Sequence, residues 1–137
     1  MAAASSYSAG NDGVLNVVSG SVANSQTAPC WVVIANNGHS AFVSNTASGT
    51  ISSYDLTSND GTVTLINSVA GDTGANSAPI DMALNVSSKF LCVLEGGTQS
   101  VASFRVEHDG SLTLINTIGG LPLGAQGIAQ SRVKYGA

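Results

Sequence analysis

Residues 28–71 read APCWVVIANNGHSAFVSNTASGTISSYDLTSNDGTVTLINSVAG, and residues 78–120 read APIDMALNVSSKFLCVLEGGTQSVASFRVEHDGSLTLINTIGG. Both stretches open on Ala-Pro. Ser53-Tyr54 precedes Ser103-Phe104 by 50 positions, Asp60-Gly61 precedes Asp109-Gly110 by 49, and Leu65-Ile66-Asn67 precedes Leu114-Ile115-Asn116 by 49. Self-similarity at a fixed period is the mark of a repeat architecture. The pattern runs past both ends. Ser6-Tyr7 through Asn11-Asp12-Gly13 to Val18 reads as the second half of an earlier unit, and Gly124-Ala125-Gln126-Gly127-Ile128-Ala129 as the opening of a later one.

Each unit holds four short apolar runs, A to D. In the first unit they cover 31–35, 41–44, 50–56 and 63–69, separated by Asn36-Asn37-Gly38, Ala47-Ser48-Gly49 and Asn59-Asp60-Gly61. Runs A and B are uniformly apolar, as inner strands buried on both faces should be, whereas C and D alternate in part. Four strands per unit, a period near fifty and no helix signal between units predict the blades of a β-propeller. A solenoid of single strands would need a shorter period, and a β-sandwich would not repeat in sequence. The expected fold is therefore all-β, a partial propeller of two complete four-stranded antiparallel blades flanked by partial ones, within a single domain. Residues 5–27 end one blade, 28–71 and 78–120 form whole blades, 123–130 supply the first strand of a further blade, and 131–137 are a tail. That makes eleven strands. Closed propellers have four blades or more, so this arc does not close alone. Trp31, Val33, Phe42, Val43, Met82, Leu84, Leu91 and Val93 are the expected inter-blade core.

Composition narrows the partners. The chain has 137 residues, 43% of them apolar, which supports a packed core rather than a disordered chain. Charged residues are only 9% and the net charge is −4. Nucleic acids and anionic membranes require clustered Lys or Arg, so neither is expected as a partner, and no apolar stretch has the length of a membrane span. Residues 1–10 lack the basic and apolar regions of a signal peptide. The Asn/Ser/Thr-rich composition is similar to that of exported proteins, and no compartment follows from it. Cys30 and Cys92 lie within apolar runs and read as buried free thiols.

The residues also resemble a known family. Ser5-Ser6-Tyr7 and Asn11-Asp12-Gly13-Val14-Leu15 ahead of Val17-Val18-Ser19-Gly20-Ser21-Val22 make one element, and Gln26-Thr27-Ala28-Pro29-Cys30-Trp31-Val32-Val33 is a second. Ser77-Ala78-Pro79-Ile80-Asp81-Met82-Ala83-Leu84 and Gly119-Gly120-Leu121-Pro122 before Gly124-Ala125 follow in order. Together they resemble the C-terminal blades of the seven-bladed lactonase-type propellers, which include 6-phosphogluconolactonase and carboxymuconate-cyclase-like proteins. Members of that family are more than twice as long, so the resemblance covers the last blades only.

The resemblance implies a ligand face built from the D-to-A loops, here 24–29, 71–79 and 121–126, and the B-to-C loops, here 45–49 and 95–99. Where such propellers commonly carry Asn after strand B, as at Asn45, the second blade has Glu95. Carried onto these positions, Glu95 is the candidate catalytic carboxylate, and Asp72, Asp81, Gln26, Thr27 and Gln126 are candidate substrate-binding residues for a small carbohydrate or lactone. Read as residues alone, Glu95 before Gly96-Gly97 is a solvated loop carboxylate, and Asp81 an acceptor for backbone amides at a strand start. None of Lys89, Arg105, Arg132, Lys134, His39 and His108 falls on these loops, so the cations that a phosphorylated substrate needs are missing from this face. The Asn-Asp-Gly and His-Asp-Gly triplets lie between C and D, where Asp-Gly supplies the positive φ of a hairpin. No calcium-loop, zinc, phosphate-loop or nucleophile-elbow spacing occurs, so no metal or cofactor is expected.

Two functions fit. One is a segment of a lactonase-like propeller whose complete form hydrolyses or forms a lactone ring, with this chain inactive alone. The other is a non-enzymatic arc that binds a partner or assembles with itself. Both imply self-association, or a second chain that supplies the missing blades.

Overall fold

Three antiparallel sheets follow one another along the chain, in a computed structural model that describes residues 2–131. The first pairs β1 (Ala3–Ala9) with β2 (Leu15–Ala23). The second runs β3 (Pro29–Ile34), β4 (Ser40–Asn45), β5 (Thr50–Asp55), β6 (Thr64–Asp72), each strand beside the next. The third repeats that meander with β7 (Pro79–Leu84), β8 (Phe90–Glu95), β9 (Ser100–Val106) and β10 (Leu112–Gly119). Among the described residues there are ten strands and no helix. The chain is an all-β, partial β-propeller.

The repeated residues mark recurring irregularities. In all three sheets the strand C to strand D register slips at the Ser-aromatic pair. Ser6 faces Ser19 while Tyr7 faces Val17, Ser53 faces Asn67 while Tyr54 faces Leu65, and Ser103 faces Asn116 while Phe104 faces Leu114. The extra residues are Val18, Ile66 and Ile115, so Leu-Ile-Asn is the signature of a β-bulge. The bulge also serves packing between sheets. Ser6 Oγ donates to the Gly61 carbonyl (2.8 Å), and one unit later Asn67 Nδ2 donates both to Ser53 Oγ and to the Asp109 carbonyl (3.1 Å each). The C-to-D turns of the second and third sheets thereby rest on the preceding sheet. Within those turns Gly13, Gly61 and Gly110 adopt φ of 81°, 84° and 77°, as their Asp-Gly pairs predict. Thr62 and Ser111 hydrogen-bond to Asp60 and Asp109 and hold those carboxyls below their usual range.

Two cores lie between sheets. Ala41, Val43 and Tyr54 pack with Ala4, Val22 and Val63. Phe42, Ile51 and Ala70 pack with Met82, Leu91, Val93, Ala102, Phe104 and Leu112. Alternation along β4 sends Ala41 and Val43 to the sheet before and Phe42 to the sheet after. Burial pushes the Tyr54 phenol above its usual range, against a lesser opposing hydrogen bond with Asn24.

Three expectations need correction. Strand A of the first whole blade is largely exposed: Trp31 keeps 48% of its surface and Val33 is only half-buried, as is Leu84 at the end of strand A in the next blade. The deepest strands there are B and C, because the sheet in front has only its C and D strands and covers nothing over β3. Cys30 is exposed for the same reason, and neither it nor Cys92 is bridged. Residues 123–130 carry no strand. Among the described residues no strand pairs with this segment. It lies instead along the third sheet, with Ile128 N donating to Asp81 Oδ2 (2.8 Å) and Gln130 Nε2 to Cys92 Sγ (2.8 Å). The tail from 132 onward, with Arg132 and Lys134, lies outside the described residues.

Phe42 and Leu91 are fully buried between the two whole blades. Phe42→Ala should cost about 3–5 kcal/mol and Leu91→Ala about 2–5 kcal/mol, with half-buried Leu84→Ala below both. Denaturant titration of the three variants checks the ranking.

Candidate functional site

The D-to-A and B-to-C loops gather at one end of the strands, and their approach is tight. A β-carbon at Gly49 (φ 66°) would lie 2.3 Å from the Gly74 carbonyl oxygen, and one at Gly97 would lie 2.0 Å from that of Asn76. Only glycine permits these contacts, so Ala47-Ser48-Gly49 and Gly96-Gly97 are read as seats for the neighbouring loop as well as turns.

Between the first and second sheets this end is filled by neutral polar groups. Asn24 is fully buried at the end of β2 and donates to Asn45 Oδ1 (2.9 Å) and Ser52 Oγ (3.1 Å). Asn45 Nδ2 donates to Ser52 Oγ (2.9 Å) and Thr50 Oγ1 (3.2 Å). Gln26 spends both ends of its amide: Nε2 donates to Ser68 Oγ (3.0 Å), and Oε1 accepts from Thr50 (2.8 Å). Thr27 is exposed and tied to Ser48, whose Oγ accepts from Thr27 N (2.8 Å) and lies 2.7 Å from Thr27 Oγ1. Buried amides and hydroxyls connected in this way give each group a partner, and they stiffen the loops.

One blade later the chemistry changes. Glu95 occupies the place of Asn45 at the end of strand B, and only 3% of it is exposed. The expectation of a solvated loop carboxylate is thus overturned: Gly96-Gly97 brings the loop 73–78 down over Glu95 instead of opening it to water. Glu95 Oε2 accepts from Ser100 Oγ (2.6 Å) and Thr98 Oγ1 (3.2 Å). Oε1 takes no hydrogen bond from the described residues. The position corresponding to Asn24 is Thr73, whose hydroxyl lies 2.7 Å from Ser77 Oγ, so no loop amide reaches the carboxylate.

The other candidates are dispersed. Asp81 is buried but belongs to the opposite face of the third sheet: Met82 and Val93 share the core toward the second sheet, and Glu95 shares the parity of Val93, while Asp81 faces residues 124–130. Both Asp81 oxygens are engaged, Oδ1 by Met82 N (2.7 Å) and Oδ2 by Ile128 N (2.8 Å). Asp72 is exposed and caps Gly74 N through Oδ1 (2.7 Å). Gln126 is exposed in the last loop. Asn24, Ser52, Ser68, Thr98 and Ser100 belong to the same end and were not singled out from sequence. Of these only Ser52 recurs, as Ser5 in the Ser-Ser-Tyr triplet, and a Ser or Asn near a turn carries no signal of burial.

The profile of the family described as Lactonase, 7-bladed beta-propeller matches residues 3–115. No curated protein sequence matches the chain. Among solved structures, a protein of unknown function from Desulfotomaculum acetoxidans is similar at 24% identity and a TM-score of 0.71, over 85% of this chain and 35% of that one. A periplasmic gluconolactonase from Pseudomonas aeruginosa is similar at 17% identity and a TM-score of 0.71, over 89% of this chain and 37% of that one. A putative 6-phosphogluconolactonase from Bacteroides fragilis is similar at 22% identity and a TM-score of 0.62, over 90% and 39%. These likenesses show the fold, and this chain spans little more than a third of each.

Removing the amide that joins the first two sheets tests the polar network. Asn24→Ala leaves Asn45 Oδ1 without its donor in a buried place and should cost about 1–3 kcal/mol. Thr27→Ala, at the exposed rim, should cost less than about 0.5 kcal/mol. Thermal or urea unfolding of the two variants checks the difference.

Proposed function

The chain belongs to the seven-bladed lactonase β-propeller family, and from that membership we propose that it contributes blades to a propeller that opens or closes a lactone ring. The observation that supports this reading best is Glu95, a buried carboxylate at the loop end. One of its oxygens is held by two hydroxyls, and the other takes no hydrogen bond from the described residues. Lactone hydrolysis requires a base that takes a proton from water as it attacks the ring carbonyl. Glu95 Oε1 is the group assigned to that role, with Ser100 and Thr98 fixing the carboxylate plane. Asp72 and Gln126 are the assigned contacts to a small carbohydrate or lactone, since both are exposed at this end, Asp72 as the last residue of β6 and Gln126 in the last loop. Gln26 and Thr27 hold their loop in place, and Asp81 anchors residues 124–130.

The chain alone is expected to be inactive. Fewer than half the blades of a relative are present, and the loop end carries no cation among the described residues to stabilise an oxyanion or bind a phosphate. In a complete propeller carrying these residues, Glu95→Gln should lower kcat for an uncharged sugar lactone about 10²-fold, the usual contribution of a general base. A wild-type rate in that variant would remove Glu95 from the mechanism.

The exposed strand β3 supports an association partner. Cys30, Trp31 and Val32 line a depression of about 230 Å³ together with Ala3, Ala4 and Ser5 of β1. The partner proposed for it is a second copy, or a chain supplying the missing blades. Sedimentation velocity at micromolar concentration should show species larger than the monomer, shifted toward monomer by Trp31→Ser. A sharp monomer at every concentration would defeat this.

A further inference from the structure

The joints between sheets repeat one another, and the chain carries the two halves of a further one. Call the side of a sheet toward the preceding sheet its front and the other side its back. The aromatic of each Ser-aromatic pair lies on the front: Tyr54 packs with Ala4 and Val22, and Phe104 with Phe42 and Ile51. Both rings are all but fully buried. The serine before each aromatic lies on the back. Ser53, with Asn67 facing it across the ladder, seats the next C-to-D turn. Asn67 Nδ2 donates to Ser53 Oγ and to the Asp109 carbonyl (3.1 Å each), and a β-carbon at Gly110 would lie 3.1 Å from Ser53 Oγ.

Tyr7 holds the place of Tyr54 and Phe104 in the first sheet, yet 56% of it is exposed, because no sheet among the described residues stands before it. Val17 faces Tyr7 across the ladder and Leu15 lies two residues along, so both share that front, and both are exposed. The turn beside them, Asn11-Asp12-Gly13, repeats the Asp109-Gly110 turn, and a β-carbon at Gly13 would meet nothing within 4 Å. On the back of the third sheet, Ser103 and Asn116 repeat Ser53 and Asn67, facing each other in the same way. Neither side chain makes a hydrogen bond among the described residues. Val101 and exposed Ile118, opposite each other in the ladder, extend this back. Residues 124–130 lie over Asp81 and Cys92 on its inner half, and Asn116 and Ile118 on its outer half stay exposed.

We infer that the chain docks head to tail with a second copy, the front of β1 and β2 in one copy packing on the back of β9 and β10 in the other. Asn116 of one copy donates to the Asp12 carbonyl of the next, and Tyr7 and Leu15 pack against Val101 and Ile118. The repeat names the occupant. The seat at Ser53 and Asn67 already holds an Asp-Gly turn with a front aromatic beside it, and a second copy brings the same turn and an unburied aromatic to the seat at Ser103 and Asn116. The contact covers exposed apolar side chains on both halves. Two different surfaces meet in it, so the joint is heterologous and each copy accepts a neighbour at either end. The joint uses neither Glu95 nor the β3 depression, so it depends on neither reading above.

The test uses the full chain carrying Trp31→Ser, which weakens the β3 contact and leaves this joint intact. Sedimentation velocity across the micromolar range should show species that keep growing with concentration rather than a closed dimer. Tyr7→Glu on the front and Asn116→Glu on the back, added singly, should each weaken this assembly at least about 100-fold, since an unpaired carboxylate would be buried in the joint. Mixed in equal amounts, the two variants should form a dimer and nothing larger, because each keeps the half that the other has lost. That recovery also shows both variants to be folded. A Trp31→Ser chain that stays monomeric throughout overturns the joint without touching the β3 contact. Assembly of either variant as tight as its parent's, or a mixture that stays monomeric, overturns it as well.

Discussion

Two twisted sheets laid face to face hide side chains that neither sheet could hide alone, and the whole molecule depends on that contact. Phe42 and Ile51 from one sheet and Leu91, Val93 and Phe104 from the next are each all but fully buried, and they lie between sheets rather than within one. A four-stranded sheet has two faces, so each blade needs a neighbour on both sides. Where the neighbour is whole, as between the second and third sheets, the inner strands are sealed. Where it consists of β1 and β2 only, the facing side of β3 stays open, with Val32 and Ile34 exposed. Exposed apolar surface of this kind marks a place where something else packs.

The same constraint explains the irregularities. Sheets that stack must twist in step, and the bulge at Val18, Ile66 and Ile115 recurs at one place in every unit. The bulge sets Ser6 and the Ser53–Asn67 pair against the next C-to-D turn, so the device that bends strand D also carries the polar bond between blades. At the loop end, glycines at 49 and 97 let successive loops touch through backbone. Burial of polar groups there is tolerated because hydrogen bonds replace the lost water. Glu95 in the place of Asn45 exchanges a neutral buried group for a charged one, and it gives this end its buried carboxylate.

Much of this was legible in the residues. The offsets of 49 and 50 gave the period, the Asp-Gly pairs placed the C-to-D hairpins, and the alternating apolar runs located the strands to within a few positions. The family elements near Ala28-Pro29 and Ala78-Pro79 pointed to the lactonase propellers over a span that overlaps the matched residues 3–115. Less legible was burial. Val32 and Met82 hold equivalent places in strand A, yet one is exposed and the other sealed, because burial depends on which sheet stands opposite and not on the run itself.

The sequence by itself determined the repeat, the strand order within each unit and the residues able to turn the chain, since these depend on neighbours along the backbone. Only the tertiary structure decided what meets across a gap. It buried Glu95 beneath the loop 73–78, turned Asp81 to the opposite face of the same sheet, and laid 123–130 along that face without a strand. It also left Tyr7 exposed while Tyr54 and Phe104, at the same place in later units, are sealed. Pairing and packing join residues that are distant in the chain, and no local pattern records the distance between them.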